Sequence, residues 1–159
     1  MNAPEINVSF KRNIGIELDK RWFKTIVLKT LEVEGVPLSV EIGVLVTDNK
    51  TVNKLNRIYR DESEPTDVLS FQTNIGESTT PEAPFVNAPD GVSHLGEVII
   101  SYPQAVKQAR ERGLTTSQEL ALLVVHGTLH LLGYDHESPK EKRIMREKES
   151  QILSLLGKY

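Results

Sequence analysis

One segment, SQELALLVVHGTLHLLG at residues 117–133, constrains the fold more than any other part of the chain. It has the length of a helix and is apolar almost all the way round, whereas a helix on a protein surface keeps one polar face. It is therefore expected to lie in the middle of the molecule. A capping box is predicted at its start, with Thr116 as N-cap and Glu119 at the third helical position, and Gly133 is predicted to end it.

Shorter periodic patterns flank this central helix. Strands are predicted at residues 6–10, 39–47, 68–71 and 97–101, and further helices at 19–34, 49–59, 103–112 and 139–156. Asp48 is the predicted N-cap of the second helix, and Ser138 with Glu141 forms a capping box for the last one. This order predicts a single α/β (α+β) domain, in which a small mixed sheet of about four strands packs with several helices.

The connection between the last two strands has a different composition. Residues 73–93 contain three prolines and many small polar residues, which predicts a long mobile loop with a possible role as a lid. Because this connection contains no helix, the two strands that it joins are expected to run antiparallel, and the sheet is expected to have mixed strand directions.

Composition limits the classes of function. The chain has 159 residues, enough for one domain over 1–159, and its lack of cysteine excludes disulfides and thiolate metal ligands. No apolar segment has the length of a signal peptide or a membrane span, so a cytoplasmic protein without membrane contact is expected. The net charge of -3 does not indicate nucleic-acid binding, which would need a local basic patch.

Three of the four histidines lie in the short segment HGTLHLLGYDH, residues 126–136. His126 and His130 are four residues apart on the central helix and leave from one face, while a turn at Gly133 would let His136 fold back towards them. Three neutral imidazoles suit Zn²⁺ with a fourth position open, as in catalytic sites. The alternative is that they are ordinary core or surface histidines, but rings among leucines and valines would then need other polar partners.

The residue after the first histidine separates two classes of metal enzyme. The spacing of the three histidines matches the HExxHxxGxxH signature of metzincin proteases. In that signature the glutamate is the general base, and here Gly127 stands in its place. The segment therefore favours a metal site but argues against proteolysis.

Three segments together resemble one protein family. LNRIYRDESEPTDVLSF (55–71), HLGEVIIS (94–101) and HGTLHLLGYDH (126–136) are similar to segments of the YbeY family, bacterial metal-dependent endoribonucleases of ribosomal RNA maturation. The resemblance covers roughly residues 40–157, although the 73–93 loop is longer than in some family members.

The resemblance implies a single α/β domain with one Zn²⁺ held by His126, His130 and His136. It also implies a role on the small ribosomal subunit, in maturation of the 16S RNA 3′ end and in ribosome quality control. Arg60, the arginine of the YR pair, is implied to be functionally important.

The chemistry of phosphodiester cleavage gives Arg60 a role of its own. The reaction needs a cation where charge develops on phosphate oxygens, and Arg60 is predicted in a loop between a helix and a strand. The alternative is a solvated loop arginine. Arg57, three residues earlier, is more typical of a surface or auxiliary RNA contact.

Other polar residues are weaker candidates. Glu97 or Asp135 could orient a ligand histidine through its second ring nitrogen, although acidic residues in turns are commonly only solvated. His94, expected just before the last strand, is left out of the ligand set. Three basic residues form either a phosphate-binding patch or a solvated helix face: Lys107, Arg110 and Arg112.

The favoured hypothesis is a zinc-dependent, single-strand endoribonuclease of ribosomal RNA processing, with Arg60 as a catalytic residue. Its expected partners are ribosomal RNA, the small ribosomal subunit and ribosome-associated proteins. Two alternatives stay open: another metal-dependent hydrolase such as a protease, and a non-enzymatic ribosome-associated factor whose metal holds the fold.

Overall fold

The computed structural model describes residues 4–37, 39–60, 68–72, 93–134 and 138–157. Its elements in chain order are strand β1 (Glu5–Phe10), helix α1 (Lys20–Val33), β2 (Val40–Thr47), α2 (Asn49–Arg60), β3 (Val68–Gln72), β4 (Ser93–Ser101), α3 (Tyr102–Arg112), α4 (Thr116–Leu131) and α5 (Pro139–Leu156). The predicted order of strands and helices is confirmed. The predicted loop at 73–93 lies outside the described residues except for Ser93, which belongs to β4.

The described strands form one mixed sheet in the order β1-β2-β4-β3. β1, β2 and β4 are parallel, whereas β3 pairs antiparallel with β4. The parallel neighbours β1 and β2 are joined through α1, as a parallel connection requires, whereas the connection between β3 and β4 lies outside the described residues. The mixed α/β fold class and the mixed strand directions are therefore confirmed.

The two central strands are buried in different ways. In β2 the alternate residues Val40, Ile42, Val44 and Val46 are buried, which confirms the predicted period of two. In β4, Val98 and Ile100 join the main core on one face, while Ile99 packs on the other face with a residue of α2. β4 therefore has a continuous apolar run because helices cover it on both sides.

Helix α4 lies at the centre of the domain. It contacts α1, α3, α5, β3 and β4. Its buried apolar residues are spread around the helix: Leu120, Ala121, Leu123, Val124, Val125, Leu129 and Leu131. The prediction of a central helix is confirmed. None of the helices in the described part of the chain combines the length and apolar character that a membrane span requires.

The capping box of α4 differs by one residue from its prediction. Thr115, not Thr116, is the N-cap: its hydroxyl accepts a hydrogen bond from the Gln118 N–H at 3.1 Å, and the Gln118 side chain accepts from the Thr115 N–H at 2.9 Å. Two consecutive threonines allow either register. Glu119, the predicted partner in the cap, is instead buried, and its carboxylate accepts from Arg112 Nη1 at 3.0 Å.

The start of β4 was also predicted wrongly. The strand begins at Ser93 rather than at residue 97, and His94 lies within it rather than before it. Pairing with β2 extends the strand, and the register shifts between Glu41 and Ile42 because β4 has one extra residue, Leu95. A bulge of this kind interrupts the alternation from which a strand is recognised. Asp48, by contrast, caps α2 as predicted, accepting from the Thr51 N–H at 2.8 Å.

Candidate metal centre

Helix α4 places two imidazoles side by side. The ring centroids of His126 and His130 are 4.7 Å apart, with the ring planes inclined at 74°. This juxtaposition follows from their spacing, because residues four apart in an α-helix lie one above the other on the same face. Two nitrogen donors are thereby presented from one rigid element.

One ring nitrogen of His126 is already engaged. Nδ1 of His126 lies 2.6 Å from Oε2 of Glu149 on α5. A carboxylate only accepts hydrogen bonds, so Nδ1 carries the hydrogen and donates it, and the lone pair of the neutral ring lies on Nε2. The side chain of Glu149 is only 13% exposed and that of His126 is 27% exposed. The contact is thus largely shielded from water.

Glu149 was missed by the sequence reasoning, which considered Glu97 and Asp135 for this role. Glu97 is an exposed residue of β4, and Asp135 lies outside the described residues. A signal was nevertheless present in the helical spacing of α5. Glu149 follows the buried Met145 by four residues and precedes the buried Ile152 by three, so it is a carboxylate on the buried face of the helix.

The end of α4 turns the chain immediately after His130. Gly133 has a φ of 105°, its N–H donates to the His130 carbonyl at 3.0 Å, and the Tyr134 N–H donates to the Leu129 carbonyl at 3.1 Å. These two bonds form a Schellman motif, in which a glycine is favoured because it tolerates positive φ. The predicted role of Gly133 in ending the helix is confirmed. His136 lies outside the described residues.

The residue after the turn is tied to two other helices. The Tyr134 hydroxyl donates to Oε1 of Glu34 at the end of α1, and Lys148 Nζ of α5 lies 3.3 Å from Oε2 of the same carboxylate. Burial, followed by the hydrogen bond to Glu34, raises the pKa of Tyr134 to about 12. This network, the Tyr134–Glu34–Lys148 network, holds the chain two residues before His136.

Basic side chains line a cavity next to His126. The cavity has a volume of about 440 Å³ and is lined by His126, Glu149, Arg112, Arg146 and Ser150 together with leucines of α4 and α5. Three basic residues of α3 were interpreted as either a phosphate-binding patch or a solvated helix face. Of these, Arg112 lines this cavity, and its guanidinium donates to the carboxylate of the buried Glu119. Two arginines, Arg112 and Arg146, therefore line the same cavity as His126.

The remaining candidates occupy other parts of the fold. Arg60 is the last residue of α2 rather than part of a loop, because the helix extends one residue beyond its predicted end, and its side chain is outside the described part. The Arg57 side chain is outside it as well. Nδ1 of His94 lies 2.7 Å from Oε1 of Glu41, which is a separate histidine–carboxylate pair on the sheet.

Among the residues that the structure describes, no group of three or more histidine and acidic side chains is arranged to hold a metal ion. The structure thus brings two of the three predicted ligands together, and the third stays a prediction.

Comparison with known proteins identifies the family. The model of the family described as "Endoribonuclease YbeY" matches residues 6–157. The chain is 47% identical over 129 residues to "Endoribonuclease YbeY" of Roseiflexus sp. (strain RS-1), covering 80% of this chain and 78% of that protein. It is 42% identical over 145 residues to "Endoribonuclease YbeY" of Dehalococcoides mccartyi (strain ATCC BAA-2100 / JCM 16839 / KCTC 5957 / BAV1), covering 89% and 90%.

A solved structure has a similar fold. The solution structure of TM1509 from Thermotoga maritima superposes with a TM-score of 0.59 at 25% sequence identity, over 94% of this chain and 87% of that one. The resemblance seen in the three sequence segments is therefore confirmed by a match that extends over nearly the whole chain. The chain belongs to the YbeY family.

Proposed function

We propose that this protein is a zinc-dependent endoribonuclease that cleaves single-stranded RNA during ribosomal RNA processing. The observation that carries the proposal is the pair of imidazoles on α4, 4.7 Å apart, in which the Nδ1 of His126 is engaged by Glu149. The names of the relatives support the substrate class. One metallohydrolase domain is proposed to span residues 1–159, with one Zn²⁺ per chain.

The residues present fit a zinc ion. Neutral imidazole nitrogens are preferred ligands of Zn²⁺, and the hydrogen bond from Nδ1 to Glu149 makes Nε2 the nitrogen through which neutral His126 would bind the ion. His130 stands on the same helix face, and the turn at Gly133 leads the chain towards His136, the proposed third ligand. When bound, the ion supplies Lewis-acid activation of water and of a phosphate oxygen.

Arg60 is the positively charged side chain that we propose acts on the phosphate group. Arg60 is proposed to stabilise the negative charge that develops on the phosphate oxygens during cleavage, because a planar guanidinium binds two such oxygens at once. The backbone of Arg60 lies at the end of α2, which packs against the sheet through β4.

Ribosomal RNA and the small ribosomal subunit are the proposed partners, with maturation of the 16S RNA 3′ end and ribosome quality control as the processes. Ribosome-associated proteins are further candidate partners. The proposed location is the cytoplasm.

A protease is disfavoured by a single position. Gly127, which stands where metzincins have their general base, is buried within α4 and supplies no carboxylate. The chain therefore has histidines at the spacing of a metal hydrolase. It lacks the glutamate with which a metzincin protease removes a proton from the attacking water.

The proposal is tested by measuring metal and activity on the same preparation. The purified protein should contain about one equivalent of zinc, cleave single-stranded RNA, lose cleavage with a chelator and regain it when zinc is added back. Digestion of casein with the same metal loading should be absent. RNA binding and ribosome association that are equal with and without metal, in a folded protein that never cleaves RNA, would instead support a non-enzymatic ribosome-associated factor.

A further inference from the structure

We infer that Glu149 is a positioning residue of the metal centre: its carboxylate fixes the tautomer and the orientation of His126, so that Nε2 faces the site shared with His130. The inference rests on the proposed function, because it assigns a role towards the proposed zinc ion. It places part of the metal site on α5, outside the histidine segment.

The environment of Glu149 shows that its contact with His126 is not a casual surface pairing. Its side chain is 13% exposed and lies between Met145 and Ile152 on the buried face of α5. An apolar residue would fill this position without loss of solvation, whereas a buried carboxylate is destabilising unless hydrogen bonds compensate it. The contact of 2.6 Å with Nδ1 of His126 supplies such a bond.

Two neighbouring cations are paired with carboxylates other than Glu149. Lys148, the preceding residue, is 3.3 Å from a carboxylate oxygen of Glu34. Arg112, across the cavity, donates to both carboxylate oxygens of Glu119, at 3.0 and 3.4 Å. Within the described part of the chain, the polar contact of the Glu149 carboxylate is the one with Nδ1 of His126.

The chemical consequence follows from the two nitrogens of imidazole. A neutral ring has one N–H and one lone pair, and an acceptor at Nδ1 selects the form in which Nε2 is the ligand atom. A carboxylate at Nδ1 also increases the electron density of the ring and so its strength as a ligand. Loss of such an outer partner typically lowers metal affinity about 10- to 100-fold.

The experiment compares Glu149→Met with Glu149→Gln, using zinc alone as the probe. Zinc affinity is measured by competition with a chromophoric chelator, and the stability of the metal-free proteins by urea unfolding. Methionine suits the buried face, and its thioether is only a weak acceptor without charge, so zinc affinity should fall about 10- to 100-fold while stability of the metal-free protein is kept. Glutamine keeps an acceptor without the charge and should give a smaller loss of affinity.

A second readout does not depend on metal. The ¹⁵N shifts of His126 in the metal-free protein report which ring nitrogen carries the hydrogen. The wild type should show the Nδ1–H form, and Glu149→Met should shift the population towards the Nε2–H form. The matched control is Glu41→Gln, which changes the carboxylate of the other histidine pair and should leave zinc affinity and the His126 tautomer unchanged.

The outcomes separate the inference from the proposed function. If the wild type binds zinc and Glu149→Met binds it within about twofold of the wild type, the inference is wrong and the proposed function stands. A purely structural role for Glu149 predicts the reverse pattern, with lower stability of the metal-free protein and unchanged zinc affinity. Failure of the wild type to bind zinc would overturn both.

Discussion

The part of the chain that the structure describes contains two histidine–glutamate pairs, and one of these two belongs to the candidate metal centre. His126 and Glu149 join α4 to α5 at 2.6 Å, and His94 and Glu41 join β4 to β2 at 2.7 Å. The residue types and the distances are nearly the same. A histidine next to a carboxylate is therefore not in itself a sign of a metal site.

The difference lies in the elements that carry the two pairs. On α4 the helix places His130 next to His126, with 4.7 Å between the ring centroids. In the sheet, His94 and Glu41 are direct partners in the register of two strands, and successive residues along a strand point to opposite faces. A helix can thus supply two ligands from one short segment, whereas a strand at this position supplies one.

Burial separates the pairs further. The Glu149 side chain is 13% exposed, while those of His94 and Glu41 are 31% and 33% exposed. Water solvates and screens the sheet pair, so its contribution to stability is expected to be small. The pair between α4 and α5 is more shielded from water, and its hydrogen bond is expected to keep the His126 ring in one orientation.

The largest effect is expected for removal of His130, which stands beside the helix pair, and the smallest zinc loss for removal of His94, which belongs to the sheet pair. His130→Ala should lower zinc affinity more than about 100-fold, which exceeds the usual effect of an outer partner because a ligand itself is lost. His94→Ala should keep about one equivalent of zinc. Metal analysis and chelator competition on the two variants measure this. Full zinc retention in His130→Ala would remove His130 from the ligand set.

A second prediction separates binding of the metal from catalysis. Arg60→Ala should lower RNA cleavage about 100- to 1000-fold, as expected for loss of a group that stabilises transition-state charge, while the zinc content and the fold stay unchanged. Arg60→Lys should recover part of the activity, since a point charge cannot make a bidentate contact. Cleavage by Arg60→Ala at the wild-type rate would defeat the proposed role.

A third prediction concerns the stability that the Tyr134–Glu34–Lys148 network contributes at the end of α4. Tyr134→Phe removes a shielded hydrogen bond and should lower the free energy of unfolding by about 1 kcal/mol at neutral pH. The folded pKa of Tyr134, about 12, lies above its ordinary value of 10.0. The contribution is therefore fully present below pH 10.0 and is lost as the pH rises through about 12.

Urea unfolding of the wild type and Tyr134→Phe, measured in parallel from neutral to high pH, checks this sign. The difference between the two proteins should shrink as the pH rises. A constant difference over the whole range would show that the raised pKa does not contribute to stability.

The smallest expected effect concerns RNA binding. With a net charge of -3, phosphate contacts must come from a local patch, and the logarithm of the affinity should fall with the logarithm of salt by about 0.7 per phosphate contact on single strands. Arg60→Ala should reduce the magnitude of this slope by about 0.7, the value for one phosphate contact, and His94→Ala should leave the slope unchanged. Equal slopes in the wild type and Arg60→Ala would show that Arg60 does not contact the RNA backbone.

Much of the fold was predictable because it depends on neighbours in sequence. The apolar character of α4 placed it at the centre, the alternation of β2 identified a strand, and the caps Asp48 and Ser138 marked where helices begin. The shared face of His126 and His130 also follows from helix geometry alone. These features are set by backbone periodicity and by hydrogen bonds within a few residues.

Only the tertiary structure decided which distant groups meet. The start of β4 at Ser93 depends on pairing with β2, and the contact of Glu119 with Arg112 depends on the packing of α3 against α4. Glu149 is 23 residues from His126 in sequence and reaches it because α5 packs against α4. The sequence by itself determined the two adjacent imidazoles, whereas helix packing selected the carboxylate that orients one of them, because periodicity specifies a face but not what packs against it.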